Sequence, residues 1–484
     1  MIQIAVILLA VTIAPLSSAG PTALVASGGN VPHSVTLVDT RTGAALGAPI
    51  SLSSAPYGVG FEPGGRLAYV LSPFQHGFLG PGVLYVVDPA DRSVVDQIVL
   101  TDGALYMTAS PSGRVVYVTH PGYYTLSAVD IQARTVRTVP VMFPADVVSD
   151  PAGDLLYVVS RNEIHVFRTA DLEHIRTLSP GFTPRALTIT PDGRELVMVD
   201  HDFANAGALV VLSVATGQSV KRIPIGAGYA NVTLDGAGRV AYVSGNRNDV
   251  KVVDLRTSEV RSVPIASGQS GAVALTFDET ELWVMNPLDR TIAVVDTRTL
   301  AVARIIDGLP GASTYGRFIA PPVAPEGSVA IVEFYNPSLD HYFITGLEQE
   351  IADLDGGKHA GWGRTGQRFF SLPGASPVCR FYGLPSAGLD SHFYSASRQE
   401  CDEVQDRFSS AWLLETNAAF EVGLPTPAGA CPPETMAVWR LWNGRKDSNH
   451  RYTTNVSIRQ GMLDRGYVAE GYGADAVAMC AAAP

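Results

Sequence analysis

Residues 111–130, PSGRVVYVTHPGYYTLSAVD, contain the pattern that decides the fold. A Pro-Ser-Gly turn leads into an alternating run that ends in Tyr117 and Val118, and a second run of small and apolar residues ends at Asp130. Alternation with a period of two, β-branched residues and flanking Gly/Pro turns favour strands over helices. The stretch therefore predicts two adjacent β-strands joined by a loop.

Both runs recur through the first two-thirds of the chain, as expected for a propeller or a solenoid. We name them the YV run and the VD run. The YV run has six copies, namely GGRLAYV, SGRVVYV, AGDLLYV, DGRELVM, AGRVAYV and DETELWV, which end at Val70, Val118, Val158, Met198, Val243 and Val284. The VD run has seven copies, which begin at Val35, Leu84, Leu126, Ile164, Leu209, Val250 and Ile292.

The unequal numbers of copies indicate how the repeat region closes. Residues 23–30 supply a YV run without the strand that should precede it, and residues 314–321 supply such a strand without its YV run. Joined, the two segments complete a seventh unit. Pairing the two ends in one unit would close a ring and remove the exposed edges of an open stack.

The paired runs resemble the YVTN-type β-propeller repeats, in which a "spdG..lYV" segment precedes a "vsviDt.tg" segment. The resemblance covers residues 22–321. It implies a mainly β fold with a seven-bladed β-propeller. It implies no particular activity, because propellers host many functions. A stretch rich in Gly, Pro and Ala leads out of the last repeat and predicts a linker over residues 322–328, beyond which the pattern changes to that of a smaller domain.

Three further repeats occupy residues 329–482, and we expect a smaller α+β three-repeat domain there. Each repeat has an aromatic strand, a His-aromatic strand, a helix-like stretch and a last strand, and the first two strands read EFYNPSLDHYFIT from Glu333, RFYGLPSAGLDSHFYSA from Arg380 and RLWNGRKDSNHRYTT from Arg440. This part resembles a short bacterial repeat of unknown function with a His-Phe-Tyr-Thr core. The resemblance brings no established chemistry.

All four cysteines lie in this last third of the chain. An even number of cysteines in an exported chain favours disulfides, and four cysteines allow three pairings. We expect Cys379 to pair with Cys401 and Cys431 with Cys480, because each pair falls inside one repeat.

The first residues predict export. An apolar run from Ile4 to Ala14 is followed by small residues, which is typical of a signal peptide over residues 1–19, although no Lys or Arg precedes the run. We expect a secreted or periplasmic protein, monomeric and with no membrane insertion after cleavage. The formal net charge of −12 argues against nucleic acid and anionic membranes as partners.

In the propeller, the loops at one end of the sheets are the expected binding face. Polar candidates on these loops and on the inner strands are His76, His120, Arg185, Asp200, His201 and Asp202. Three histidines and two aspartates on one rim could bind a divalent metal or act in acid–base catalysis. They could equally be separate solvated residues, and we predict no metal and no cofactor.

In the C-terminal repeats, His341, His392 and His450 are equivalent, and Tyr394 and Tyr452 follow two of them. Three alternatives stay open at this point. The histidines could converge on a metal, each could satisfy a turn of its own unit, or the aromatic residues could form shallow sugar pockets.

The sequence lacks a P-loop, G-x-G-x-x-G, G-x-S-x-G and H-E-x-x-H. We therefore expect a binding or scaffold protein rather than an enzyme, with a protein or glycan of the cell surface or envelope as its partner. A lactonase-like hydrolase that uses the propeller rim and a structural spacer are the alternatives.

Overall fold

The structure is a computed structural model, and the chain is mainly β. It describes residues 22–27, 33–62, 65–74, 80–200, 207–265, 269–276, 279–309, 315–316, 318–319, 325, 327–355, 357–433 and 435–483. Within these ranges no helix is both long and apolar enough to cross a membrane.

Seven small sheets contain the strands up to Gly316, and within each sheet consecutive strands are antiparallel neighbours. The strands, sheet by sheet, are β1 (Thr22–Ser27), β2 (Ser34–Asp39), β3 (Ile50–Ser51); β4 (Gly58–Phe61), β5 (Ala68–Ser72), β6 (Pro81–Asp88), β7 (Ser93–Asp102); β8 (Tyr106–Ala109), β9 (Val115–His120), β10 (Thr125–Asp130), β11 (Thr135–Pro140); β12 (Pro144–Ser149), β13 (Leu155–Ser160), β14 (Glu163–Arg168), β15 (His174–Leu178); β16 (Pro184–Ile189), β17 (Glu195–Asp200), β18 (Ala208–Ser213), β19 (Ser219–Pro224); β20 (Tyr229–Leu234), β21 (Val240–Gly245), β22 (Asp249–Asp254), β23 (Val260–Pro264); and β24 (Val273–Leu275), β25 (Glu281–Asn286), β26 (Thr291–Asp296), β27 (Ala301–Ile306).

Neighbouring sheets pack through their first strands and share buried side chains. β4 contacts β8, and the contacts continue through β12, β16, β20 and β24. The first sheet shares one apolar cluster with both the second and the seventh, which includes Leu24, Tyr85 and Trp283. Because the middle strands are covered on both faces, they read as near-continuous apolar runs rather than as strict alternation.

The two ends of the repeat region meet as predicted, within the residues described. Ala23 forms an antiparallel bridge with Ile319, and the Leu24 amide donates to the Phe318 carbonyl at 2.7 Å. One strand departs from the prediction, since β28 (Tyr315–Gly316) pairs in parallel with β4 and so joins the second sheet. Asn30, Thr314 and Pro321 lie outside the described residues.

The aspartate that ends the VD run caps the turn after it. Its side chain accepts hydrogen bonds from backbone amides two or three residues further on. This arrangement occurs at Asp39, Asp88, Asp130, Asp254 and Asp296. These aspartates therefore stabilise turns between strands.

The C-terminal part is β-rich and contains three similar units, each with one short helix. The units are β29 (Ala330–Asn336), β30 (His341–Thr345), α1 (Glu348–Asp355), β31 (Gly363–Phe370); β33 (Cys379–Gly383), β34 (Ser391–Ser395), α2 (Arg398–Arg407), β35 (Trp412–Thr416); and β37 (Thr435–Trp442), β38 (His450–Thr453), α3 (Val456–Asp464), β39 (Val468–Glu470). The remaining strands are β32 (Ser376–Pro377), β36 (Glu421–Val422) and β40 (Val477–Ala482), and a short 3-10 helix spans Pro385–Ala387. The histidine-bearing strands β30, β34 and β38 contact one another, so the units surround one axis.

Both predicted disulfides are confirmed. Cys379 is bonded to Cys401, which links β33 to α2 of the same unit. Cys431 is bonded to Cys480 and fixes β40 beside the segment that precedes β37. Two disulfides suggest an oxidising environment for this protein.

The C-terminal part packs against the turns that join the first and second strands of several sheets. The Arg194 guanidinium donates to the Pro337 carbonyl at 3.2 Å, and Arg239 forms an ion pair with Asp464 of α3 at 2.5 Å. Ala237 packs into the apolar cluster that contains Ile458 and Met462. The loops at the opposite end of these sheets are therefore on the side away from the C-terminal part.

Candidate ligand-binding site

Of the candidates on the propeller loops, three lie outside the described residues: His76, His201 and Asp202. His120 is described and does not face a rim. It is fully buried at the end of β9, with Nδ1 3.2 Å from the Asp102 carbonyl and Nε2 2.9 Å from the Ser127 hydroxyl. Burial lowers the pKa of His120, so the ring is a neutral core group whose two nitrogens are occupied.

Arg185 and Asp200 lie at the same end of the neighbouring strands β16 and β17. Arg185 is exposed in a bulge of β16 that follows Pro184, the residue paired with Asp200. Asp200 is buried and forms an ion pair with Arg222. The carboxylate of Asp200 is thus already engaged within its own sheet.

The three equivalent histidines of the C-terminal units do not converge on a common point. His392 and His450 each face a glutamate of their own unit. His341 contacts the other two units, through the Asp390 carbonyl at 2.9 Å and the Asp447 carboxylate at 3.1 Å. No group of three His, Cys, Asp or Glu side chains among the described residues has the arrangement to hold a metal ion.

Tyr394 and Tyr452 are core residues rather than sugar-stacking platforms. They are 1% and 2% exposed. The Tyr394 hydroxyl donates to the Ile344 carbonyl at 2.5 Å, and the Tyr452 hydroxyl donates to the Tyr394 carbonyl at 2.9 Å. Each tyrosine therefore links its unit to the preceding one, and both rings are buried around the common axis.

A cluster that the sequence analysis missed lies where the second unit meets the third. Arg440 on β37 makes a bidentate pair with Glu400 of α2, at 2.8 and 3.0 Å. The Arg440 Nε lies 3.0 Å from Glu470 of β39, which lies 3.3 Å from His450 Nε2. The ring of Phe393 packs edge-on against His450, with centroids 5.3 Å apart.

The junction between the first and second units repeats this cluster residue for residue. Arg380 pairs with Glu350 at 2.8 and 2.9 Å, and its Nε lies 2.7 Å from Glu415. Glu415 lies 3.4 Å from His392 Nε2, and His392 packs edge-on against Phe343. We call the two sets the junction clusters: Phe343, Glu350, Arg380, His392 and Glu415; and Phe393, Glu400, Arg440, His450 and Glu470.

The contact between the third and first units is built differently. Glu333 and Arg451 form a buried pair at 2.8 and 3.0 Å. Ile458, which occupies the helix position of Glu350 and Glu400, joins an apolar cluster there. This contact carries no equivalent of the junction cluster.

The contacts within the second junction cluster determine which of its side chains are charged at neutral pH. Burial would raise the pKa of Glu400 and Glu470, but hydrogen bonds and charge from Arg440 and a hydrogen bond with His450 outweigh it, and both pKa values are lowered. Burial lowers the pKa of His450. At neutral pH the cluster therefore holds two carboxylates, one guanidinium and a neutral imidazole.

A cleft of about 240 Å³ opens over the second junction cluster. Its lining adds Glu403, Val404, Arg407 and Phe408 to the residues of the cluster. The Glu400 and Glu470 side chains remain 35% and 32% exposed, so part of each carboxylate is free to accept hydrogen bonds. The cleft therefore places the carboxylate acceptors of Glu400 and Glu470 beside the exposed ring of Phe408. The lowered pKa values of Glu400 and Glu470 are the opposite of the raised pKa that a general acid requires.

The repeat alignment contained a signal for these clusters. Glu350 and Glu400 each follow the hydroxyl residue of the His-aromatic strand by five positions, and Arg380 and Arg440 begin two of the aligned strands. Thr345 and Ser395 in turn donate to these glutamates at 2.5 Å. What the alignment could not show is that each glutamate reaches the arginine of the next unit.

No curated protein matches the chain. Among solved structures it is similar to a Kuenenia stuttgartiensis hydrazine synthase, at 17% identity over 60% of this chain and 96% of that chain, with a TM-score of 0.47. It is also similar to a functionally unknown protein from Desulfotomaculum acetoxidans DSM 771, at 14% identity over 63% of this chain and 100% of that chain, with a TM-score of 0.50, a likeness of fold alone. Residues 317–422 and 391–483 match the family described as "Domain of unknown function (DUF5648)".

Proposed function

We propose that this protein is an exported recognition protein whose C-terminal units bind saccharide rings at their junctions. The observation that carries the proposal is the recurrence of the same five residue types, in the same contacts, at two successive junctions. Stability alone is a weak explanation for these buried ion pairs, because apolar residues in their place often give an equally stable protein. Two pre-formed clusters of this kind are suited to a ligand that itself repeats.

The chemistry of the cleft favours a hydroxyl-rich ligand. Arg440 holds Glu400 and Glu470 in place, so each carboxylate can accept a hydrogen bond from a sugar hydroxyl without losing rotamer entropy. Phe408 is 52% exposed at the cleft and provides an apolar face. The volume of about 240 Å³ lies below the roughly 300–1,000 Å³ of pockets for drug-sized ligands, which suits a single ring.

The platform for this module would be a closed seven-bladed β-propeller of the YVTN type over residues 22–321. The contact of the first sheet with both the second and the seventh supports closure, as does the bridge between Ala23 and Ile319. The two disulfides support a secreted or periplasmic location. We expect a monomer that binds glycan of the cell surface or envelope and needs no cofactor.

The test is a calorimetric titration of the full chain with the methyl glycosides of glucose, galactose, mannose and N-acetylglucosamine. We expect at least one to bind, and Phe408→Ala to weaken it about tenfold, which corresponds to about 1.4 kcal/mol. Leu413→Ala is the matched control, because Leu413 is 55% exposed in the same unit and does not line the cleft. Absence of binding by all four glycosides, or equal losses in both variants, would overturn the proposal.

A further inference from the structure

Exposed aromatic side chains gather on two neighbouring sheets, at the end away from the C-terminal units. They come from the β9–β10 loop, the β11–β12 loop and the β13–β14 turn. We call this set the aromatic platform: Tyr123, Tyr124, Met142, Phe143 and Arg161.

Tyr123 packs closely against the backbone at Gly103. Gly103 has φ +69°, and a Cβ there would lie 2.8 and 2.9 Å from ring atoms of Tyr123, so glycine is required for this approach. Partial desolvation and the Asp102 carboxylate, which the phenol reaches, raise the pKa of Tyr123. The Cδ2–Cε2 side of the ring is therefore packed against Gly103, while Tyr123 remains 48% exposed.

The rest of the platform is equally ordered. The Tyr124 ring packs edge-on against Phe143 with centroids 4.6 Å apart, and the Arg161 guanidinium carbon lies 3.5 Å from the centre of the Phe143 ring. All three residues have positive φ, at 57°, 46° and 53°. Such conformations cost of order 1–3 kcal/mol each and persist where surrounding contacts enforce them.

Single exposed apolar residues need no explanation, but this set is contiguous. Tyr123, Tyr124 and Met142 are 48%, 41% and 59% exposed. An exposed tyrosine ring that packs closely against the backbone on one side suits the apolar face of a pyranose. Beside the Tyr123 ring, the carboxylate of Asp102 can accept hydrogen bonds from sugar hydroxyls, and Arg161 can donate hydrogen bonds to ring or hydroxyl oxygens. The net charge of −12 favours a neutral chain over an acidic polysaccharide.

We propose that the aromatic platform is a second saccharide-binding site, which takes a pyranose ring of a neutral glycan chain on Tyr123. The platform shares no residue with the junction clusters, so this inference does not rest on the proposed function. A chain that binds glycan at both ends could bridge two glycan strands or grip one long strand twice.

The test is a calorimetric titration of the full chain with cellohexaose, xylohexaose, maltohexaose and chitohexaose. We expect at least one to bind, Tyr123→Ala to weaken it about tenfold, and Tyr123→Phe to retain most of the affinity because the ring face remains. Leu413→Ala serves as the control, because Leu413 is 55% exposed and belongs neither to the cleft nor to the platform, and it should leave this binding unchanged. Because Tyr123 is half exposed, the circular dichroism spectrum and Tm of the variants should match those of the wild type.

Three outcomes would overturn the proposal. The first is that no hexasaccharide binds. The second is that binding is lost in Phe408→Ala and retained in Tyr123→Ala, which would assign the affinity to the junction clefts alone. The third is that Tyr123→Ala changes the oligomeric state and not glycan binding, which would make the platform a protein interface. Failure of the methyl glycosides with success of a hexasaccharide on Tyr123 would reject the proposed junction site and leave the platform standing.

Discussion

Arg440 shows how single residues determine the structure of the C-terminal part. Its side chain is 9% exposed and lies between Glu400 and Glu470, which come from different units. A charge buried in this way is tolerable only because each partner compensates the other. Burial would lower the pKa of Arg440, but a hydrogen bond with Glu400 and the charges of Glu400 and Glu470 hold it above its usual range.

Removal of this guanidinium should strongly destabilise the C-terminal units. Arg440→Met leaves the carboxylates of Glu400 and Glu470, each about one-third exposed, without the cation between them, so we expect the free energy of unfolding to fall by about 3 kcal/mol, the lower end of the range for buried pairs. Arg398→Met is the matched control, because Arg398 is 72% exposed and pairs only with Asp402; its effect should stay within about 0.5 kcal/mol. Urea unfolding followed by circular dichroism measures both, and similar losses would contradict the expectation.

The same cluster should make stability fall in acid. The pKa of Glu400 is lowered from its ordinary 4.5, because hydrogen bonds and charge from Arg440 outweigh burial. A lowered pKa contributes stability that is fully present above the ordinary value and is lost as the pH falls through the lowered one. Unfolding should therefore become easier below about pH 4.5.

A variant isolates this contribution. Glu400→Gln should be less stable than the wild type at pH 7, and the difference should shrink as the pH falls through the lowered pKa of Glu400, because the wild-type carboxyl then becomes neutral as well. Glu403→Gln changes an exposed carboxyl paired with Arg407 and should differ little from the wild type. A pH-independent gap for Glu400→Gln in thermal unfolding would refute the assignment.

At the scale of single residues, the sequence shows which positions of the repeats are equivalent, but it does not show whether a side chain is buried or exposed. The aligned tyrosines Tyr394 and Tyr452 suggested exposed sugar platforms, yet both are buried because their strands meet at the axis of the three units. His120 suggested a rim ligand and is a core residue. Which face of a strand is covered depends on packing between units, and a single unit's periodicity does not contain that information.

The hairpins were the most predictable elements. The YV and VD runs recur in register, and the described copies form neighbouring antiparallel strands, such as β9 with β10. The strand β28 was not predicted to join the second sheet. It has only two residues and pairs in parallel with Gly58 and Val59, so no period-2 pattern marks it.

The disulfides should stabilise their elements to different extents. In the chain-entropy account a disulfide stabilises more when it closes a longer loop. The separation is 49 residues for Cys431–Cys480 and 22 for Cys379–Cys401. Each double Cys→Ala variant should lose about 2–5 kcal/mol, and the Cys431/Cys480 variant about 0.7 kcal/mol more. Urea unfolding of the two variants measures this, and the reverse order would contradict the entropic explanation.

At the scale of the whole molecule, one surface joins the seven sheets to the C-terminal units. The sequence predicted the boundary near residues 322–328. It could not predict the contact between the two parts, because the residues that form this contact lie in turns that are far apart in the chain. Glu279 is the central example. Its carboxylate accepts from the Gly236 amide at 2.5 Å and faces Asn455 and Ser457 at the start of α3.

Glu279 should make this contact dependent on pH near neutrality. Burial, and then the nearby charge of Asp235, raise its pKa from 4.5 to about 7. A raised carboxyl pKa means that the contact is favoured while the group is protonated. The stability that Glu279 contributes to this contact therefore falls as the pH rises from 4.5, the ordinary pKa of the group, to about 7, and it is constant above that pH. Asp235, the charged neighbour of Glu279, itself faces Arg239 and Asp254, and Arg239 forms an ion pair with Asp464 of α3.

The expected outcome is therefore slower amide hydrogen exchange in α3 at pH 6 than at pH 8, after correction for the intrinsic rate. Glu279→Gln keeps the acceptor for the Gly236 amide and removes the charge, so it should show the protected behaviour at both pH values. Glu259→Gln alters an exposed carboxyl that is paired with Arg261, and it should follow the wild type. If α3 in the wild type is equally protected at both pH values, or if Glu279→Gln keeps the same pH response, titration of Glu279 does not control this contact.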